Sequence, residues 1–417
     1  MENKLLHTPV GVRDIYNIEC AKKLHIQENM HNVFLGYGYR DIQTPTFEFF
    51  DIFSKERGSV ASRNMYKFFD REGNTLVLRP DMTPPVARAA SKYFADEEMP
   101  IRLCYQANSY INNSEYQGKL KEFTQLGAEL IGDNTSDADA EVVAMVIDCM
   151  LKAGLTDFQV EAGQVDFFKG LVEENGLDEE TEDKLRELIE NKNYFGMEEM
   201  ISEINIPQQK KQVFMKFSEL YGNVDMLNNA KSLTNNKKSL KALERLEKLY
   251  NILSIYGYEK YISFDLGMLN HYHYYTGIVF KTYTYGIGDA IVAGGRYDSL
   301  LKQFGKNSAA VGFAINLDQL MVALNRQKIE VPIDYDNKMI LYKTSRQKEA
   351  VELASSLRER GERIVLMRKR SNVTEDEYME YAKRTGISQV YFMQTQNTVR
   401  IVNMADNTAQ ELERNKI

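Results

Sequence analysis

In the run TQLGAEL, Gln125 and Glu129 stand either side of Gly127, and along a strand all three project to one face. An amide and a carboxylate so placed, with no side chain between them, can flank a small polar ligand. His271 and His273 in HYHYY share a face in the same way, but no nearby cysteine or third histidine completes a zinc set. GGRYD supplies a glycine pair for close backbone approach and is too short to read as a phosphate loop. The cysteines, Cys20, Cys104 and Cys149, lie in dissimilar contexts without C-x-x-C spacing, so neither a disulfide framework nor a metal site is expected.

These residues need a scaffold, and 417 residues at 43% hydrophobic content can bury a core divided into two or three domains. No stretch approaches the roughly 20 apolar residues of a membrane span. The opening MENKLLHTPVGVRD lacks the apolar centre of a secretory signal, so a cytoplasmic location is expected. A net charge of −8 argues against a dominant nucleic-acid surface. The one compact basic cluster, Arg363, Arg368, Lys369 and Arg370, reads as a solvated strand end.

Strand-like runs such as TLVLRP and RLCYQA precede DADAEVVAMVIDCMLKAG, where Val142, Val143, Met145, Val146, Met150 and Leu151 recur at helical spacing and Gly154 is a stop. Residues 166–258 carry acidic and basic residues around Leu and Ile at three- and four-residue intervals, which predicts a helical insertion with a small core. YISFDLGML, TGIVFKTYTY and DAIVAGG then restore strand text suited to an antiparallel sheet. From Lys338 the strands MILY, RIVLM, QVYFM and TVRIVN alternate with helices, as in a small α/β domain with a mostly parallel sheet. The expected organisation is α+β, with a core from 1–165 and 259–328, an insertion at 166–258 and a C-terminal domain at 336–417.

Dispersed segments occur in an order that resembles the class II aminoacyl-tRNA synthetases, in their histidyl branch. They are GYGYRDIQTPTFE around Pro45, LVLRPDMT around Asp81, the hairpin YQANSYINNSEYQGKLKEFTQ continuing into LGAELIG, and HYHYYTGIVF followed by GGRYD and GFAINLDQL. The resemblance implies an antiparallel catalytic sheet flanked by helices and a tail like the family's anticodon-binding domain. It also implies a histidine pocket: Asp81, Thr83, Gln125 and Glu129 toward the amino group, Tyr274 and Tyr275 toward the imidazole. Aspartate at 81 replaces the family's glutamate and shortens that acid by a methylene.

Adenylation in that family needs preorganised cations around the phosphates of ATP, for which the planar fork of arginine is suited. Register with the family puts Ile111 at the hairpin's arginine, Asn113 at its glutamate, Asn270 at the second arginine before YYTG, and Gln319 at the arginine of the last helix. Losing one such stabiliser typically costs about 10²–10³ in rate, so adenylation is expected to be lost. Lys119 and Lys121 remain, but an ammonium on a flexible stem does not reproduce the fork.

A retained amino-acid pocket beside a dismantled ATP site resembles the ATP phosphoribosyltransferase regulatory subunits. That resemblance implies a non-catalytic role in the first step of histidine biosynthesis, with a short catalytic subunit as partner and L-histidine as feedback effector. It further implies a self-dimer within a hetero-oligomer and no cofactor; binding of tRNA is not expected. The competing readings are an active histidyl-tRNA synthetase with unusual cations and a synthetase-like tRNA-binding regulator.

Overall fold

The computed structural model describes residues 6–54, 60–113, 119–204, 206–269, 275–333 and 336–417. Two compact units divide the chain, Met1–Val331 and Pro332–Ile417.

In the first unit the strands, in chain order, are β1 (Arg40–Asp41), β2 (Phe47–Phe49), β3 (Lys67–Phe69), β4 (Thr75–Leu78), β5 (Ile101–Tyr110), β6 (Glu122–Ile131) and β7 (Phe158–Gln164). They continue as β8 (Tyr221–Gly222), β9 (Ile262–Asp265), β10 (Ile278–Thr284), β11 (Val292–Arg296) and β12 (Ala310–Asn316). Nine of them form one sheet in the order β1-β5-β6-β12-β11-β10-β7-β9-β8, and β2, β4 and β3 form a small separate sheet. The centre of the large sheet is antiparallel as expected, while β1 runs parallel to β5 and β7 parallel to β9.

The helix at Ser136–Lys152 begins where the Thr135 hydroxyl accepts the Ala138 N–H at 3.2 Å, and Gly154, at φ +88°, turns the chain back. Its buried Val142, Val143, Met145 and Val146 cover one face of the sheet. Residues 165–255 are mostly helical, from Val165–Asn175 to Lys237–Ile255. Their apolar faces do not close a small core of their own: Leu185, Ile189, Leu243, Leu246 and Leu249 join one continuous core with Val160 and Phe280 of the sheet. Charged spacing alone showed which faces were apolar, and the continuity depends on what lay opposite.

One buried ionic cluster braces this unit. Asp139 is fully buried and accepts from Arg296 Nη2 and Arg245 Nε, each at 2.6 Å, while Arg296 Nη1 also donates to the Asp133 carbonyl at 2.9 Å.

The second unit carries β13 (Asn337–Tyr342), β14 (Arg363–Arg368), β15 (Ile387–Met393), β16 (Thr398–Asn403) and β17 (Ala409–Glu413), ordered β14-β13-β15-β16-β17. The first three are parallel, and β16 and β17 are antiparallel. The helices Gln347–Glu359 and Glu375–Arg384 contribute apolar residues to two core clusters. β17 was not anticipated, because AQELE is an almost wholly exposed polar edge strand with no apolar alternation.

Candidate functional site

The hairpin of β5 and β6 sets Gln125 opposite Ala107, Gly127 opposite Tyr105 and Glu129 opposite Leu103. On the other side of β6, β12 brings Asn316 opposite Gln125 and Gly312 opposite Glu129. Both glycines are required by what lies over them. A Cβ at Gly127 would overlap the Tyr105 hydroxyl and the Phe313 carbonyl, and one at Gly312 would overlap the Glu129 carboxylate. The space over Gly127 is therefore filled by the Tyr105 ring, not left open for a ligand.

Glu129 is fully buried, and three hydroxyls converge on it. Tyr297 donates to Oε2 at 2.6 Å, Thr83 to Oε1 at 3.1 Å and Tyr105 to Oε1 at 3.4 Å. Burial pushes its carboxyl up to about 8, further than these donors pull it down, and the nearby Asp81 adds to the rise. The same burial, reinforced by the Glu129 charge, holds the phenols of Tyr105 and Tyr297 well above their ordinary range.

Above this layer is a cavity of about 210 Å³ lined by Asp81, Thr83, Gln125, Tyr275, Tyr297 and Asn316, with Phe123 and Ile111 at one side. It is smaller than the roughly 300–1,000 Å³ typical of drug-sized ligands, and so suits a small metabolite. Asp81 is oriented by its Oδ1 accepting the Met82 N–H at 2.7 Å, at the start of the helix Thr83–Tyr93. Gln125 Oε1 accepts the buried Ser109 hydroxyl at 2.6 Å. Arg79, two residues before Asp81, holds the backbone of the neighbouring loop by donating to the Thr44 and Pro45 carbonyls at 2.8 and 3.1 Å.

Asp81, Thr83, Gln125 and Tyr275 are thus brought together on one cavity, and Glu129 stands behind it, in contact with Thr83 and Tyr297, which do line it. Tyr274 and Asn270 lie outside the described residues, as do His271 and His273. Sequence reading missed Tyr105 and Tyr297. The signal for Tyr297 was present in GGRYD, where a tyrosine follows the end of a strand whose two glycines let other groups approach closely.

A second cavity of about 1040 Å³ adjoins the first and shares Ile111, Phe123, Ala290 and Asn316 with it. Ile111, Asn113 and Gln319 all line it. Asn113 Nδ2 donates to the Leu120 carbonyl at 3.3 Å, and Gln319 N–H donates to Asn316 Oδ1 at 3.1 Å in the first turn of the helix Leu317–Arg326. Beside Gln319, Asp318 presents a nearly buried carboxylate held by Lys23 at 3.0 Å and the Thr124 N–H at 2.8 Å. Lys119 is 3.4 Å from Asp289 and Arg13 is 2.6 Å from Glu19, so these two cations are already paired. The stem of Lys121 packs against Gly11.

Residues 11–320 match the family model for histidyl-tRNA synthetase. The chain is 43% identical over 356 residues to an ATP phosphoribosyltransferase regulatory subunit of Acetivibrio thermocellus, covering 85% of each protein. It is 37% identical over 406 residues to one from Ruminiclostridium cellulolyticum, covering 97% of this chain and 96% of that one. Among solved structures it resembles an ATP phosphoribosyltransferase regulatory subunit/histidyl-tRNA synthetase from Bacillus halodurans C, with a TM-score of 0.83 and 35% identity over 93% of this chain and 98% of the other. A histidyl-tRNA synthetase from Nostoc sp. PCC 7120 shares the fold at a TM-score of 0.83 and 18% identity, covering 99% of this chain and 97% of that one.

Proposed function

Since the chain belongs to the ATP phosphoribosyltransferase regulatory subunits, a family built on the histidyl-tRNA synthetase fold, we propose that it completes a short catalytic subunit in the first step of histidine biosynthesis and transmits histidine feedback to it. The regulatory subunit is not itself the catalyst, so the phosphoribosyl transfer belongs to its partner.

The carrying observation is the contrast between adjoining cavities. The large one has Ile111, Asn113 and Gln319 where adenylation would need phosphate-gripping groups, and its Arg13 and Lys119 are paired with Glu19 and Asp289. The small one keeps the Asp81 carboxylate, two amides and two phenols around a volume suited to a free amino acid, with Glu129 behind Thr83 and Tyr297.

In this reading Asp81 meets the ammonium of L-histidine, Thr83 and Gln125 supply polar contacts, and Tyr275 with Tyr274 faces the imidazole. Glu129 stands behind Thr83 and Tyr297 and ionises as the ammonium binds. Histidine favours an assembly state in which the partner is less active, with a coupling typically of about 1–3 kcal/mol. The subunit pairs with itself inside that assembly, a reading supported by the exposed Phe47, Phe49 and Phe69 on the small three-stranded sheet.

Reconstitution with a short catalytic subunit tests the proposal. Activity should require both chains and fall when histidine is added, and calorimetry should detect histidine binding to the regulatory chain or the complex. Absence of binding to either would remove the feedback mechanism. Histidine-dependent exchange of pyrophosphate into ATP by the isolated chain would instead identify a working synthetase.

A further inference from the structure

We propose that His31, Asp41 and Cys104 form a binding site for a thiophilic divalent cation of the zinc class, on the edge of the large sheet away from the amino-acid pocket.

The three residues come from different elements. Asp41 on β1 and Cys104 on β5 are direct partners across the short parallel pair, and His31 hangs from the helix Asn17–Gly36. Their potential ligand atoms all lie within 4.8 Å of one another. Asp41 Oδ1 is 2.7 Å from His31 Nε2 and 3.8 Å from Cys104 Sγ. A tetrahedral zinc ion, with bonds of about 2.0–2.3 Å, holds its ligand atoms roughly 3.3–3.8 Å apart. The Asp41 and Cys104 atoms already stand at that spacing, and His31 and Asp41 need to part by under about 1 Å to admit the ion.

The chemistry of the set selects the cation. Imidazole, carboxylate and thiolate are the usual zinc ligands, whereas magnesium and calcium take oxygen. The sulfur is buried, while the Asp41 side chain is 60% exposed and that of His31 27%, so an ion held here keeps a coordination position facing solvent. The same residues do not make a catalytic thiol. The thiol donates to Asp41 and not to His31, and burial beside that carboxylate pushes it up to about 12, the reverse of an activated nucleophile.

Cobalt, as a spectroscopic stand-in for zinc, provides the test. Titrating the full, tag-free chain with Co²⁺ should produce a thiolate-to-cobalt charge-transfer band that zinc abolishes. Cys104→Ser should lose the band, and His31→Ala, a change on a half-buried helix position that leaves the sheet intact, should weaken binding by at least about 100-fold. Zinc should raise the melting temperature of the parent and leave that of both variants unmoved. Absence of the band in the parent, or zinc binding equally tight in the parent and in His31→Ala, overturns the proposal. Both outcomes are independent of whether Cys104→Ser folds.

Discussion

Replacing Glu129 by Gln removes a charge with almost no change of volume, and two measured quantities should move in opposite directions. The folded protein holds the Glu129 proton up to about 8 against an ordinary value of 4.5. The unfolded chain releases that proton near the ordinary value, so between the two the folded state binds more protons and stability falls as pH rises, by about 1.4 kcal/mol per pH unit. At pH 7 the accumulated penalty is on the order of 3 kcal/mol, and it levels off above about 8. A glutamine amide carries no such penalty, although its NH₂ must find acceptors among hydroxyls that now donate, which costs about 1–2 kcal/mol. E129Q should therefore gain about 1–2 kcal/mol at pH 7 and show a flatter pH profile in urea unfolding followed from pH 4.5 to 9. The same variant should bind histidine at least about tenfold more weakly, because the carboxylate that a bound ammonium would ionise behind the pocket is gone. A parent whose stability is level across that range, or an E129Q variant that is less stable than the parent above pH 8, refutes the buried-proton argument.

Histidine binding to the parent should strengthen between pH 7 and 8 and release a proton, seen as a dependence of calorimetric heat on the buffer, because a ligand ammonium favours ionised Glu129. Gly312→Ala should cost at least about 1–3 kcal/mol through overpacking. Adding Glu129→Ala should recover part of that loss, a non-additivity that places the clash at the carboxylate. Asp139→Asn leaves the buried Arg296 with only Asp298, at 3.2 Å, as a carboxylate partner and should cost about 3 kcal/mol in denaturant unfolding. Arg245→Met, at the more exposed end of the cluster, should cost less. Restoring arginine at Ile111 and Gln319 together should not restore pyrophosphate exchange, since Asn270 still stands at the remaining arginine position.

Period-two alternation is enough to place Gln125 and Glu129 on one face, and a capped apolar run is enough for the helix Ser136–Lys152. Both features depend on neighbours in the chain, which a sequence displays. The roles of Tyr105 and Tyr297 depend on residues brought together by the sheet: the Tyr105 ring lies over Gly127, and the Glu129 carboxylate that both phenols meet lies over Gly312. The shortest strands escaped for a related reason: β1 and β8 have two residues each, too few for any alternation, and they exist because β5 and β9 offer an edge. The cation site follows the same logic, since Cys104 lies 63 residues beyond Asp41 and no ligand-spacing motif joins the two to His31.

Ile111, Phe123, Ala290 and Asn316 line both cavities, so a compound seated in the small one lies beside the large one. A histidine head seated in the small cavity would fix the position of an attached uncharged tail, so the tail's contacts in the larger cavity act at high effective concentration. A working synthetase keeps phosphate-gripping arginines where that tail would lie, whereas this chain offers Ile111 and Gln319. Under the proposed function, the larger cavity thus becomes a handle for inhibitors that distinguish the regulatory subunit from the enzyme whose fold it shares.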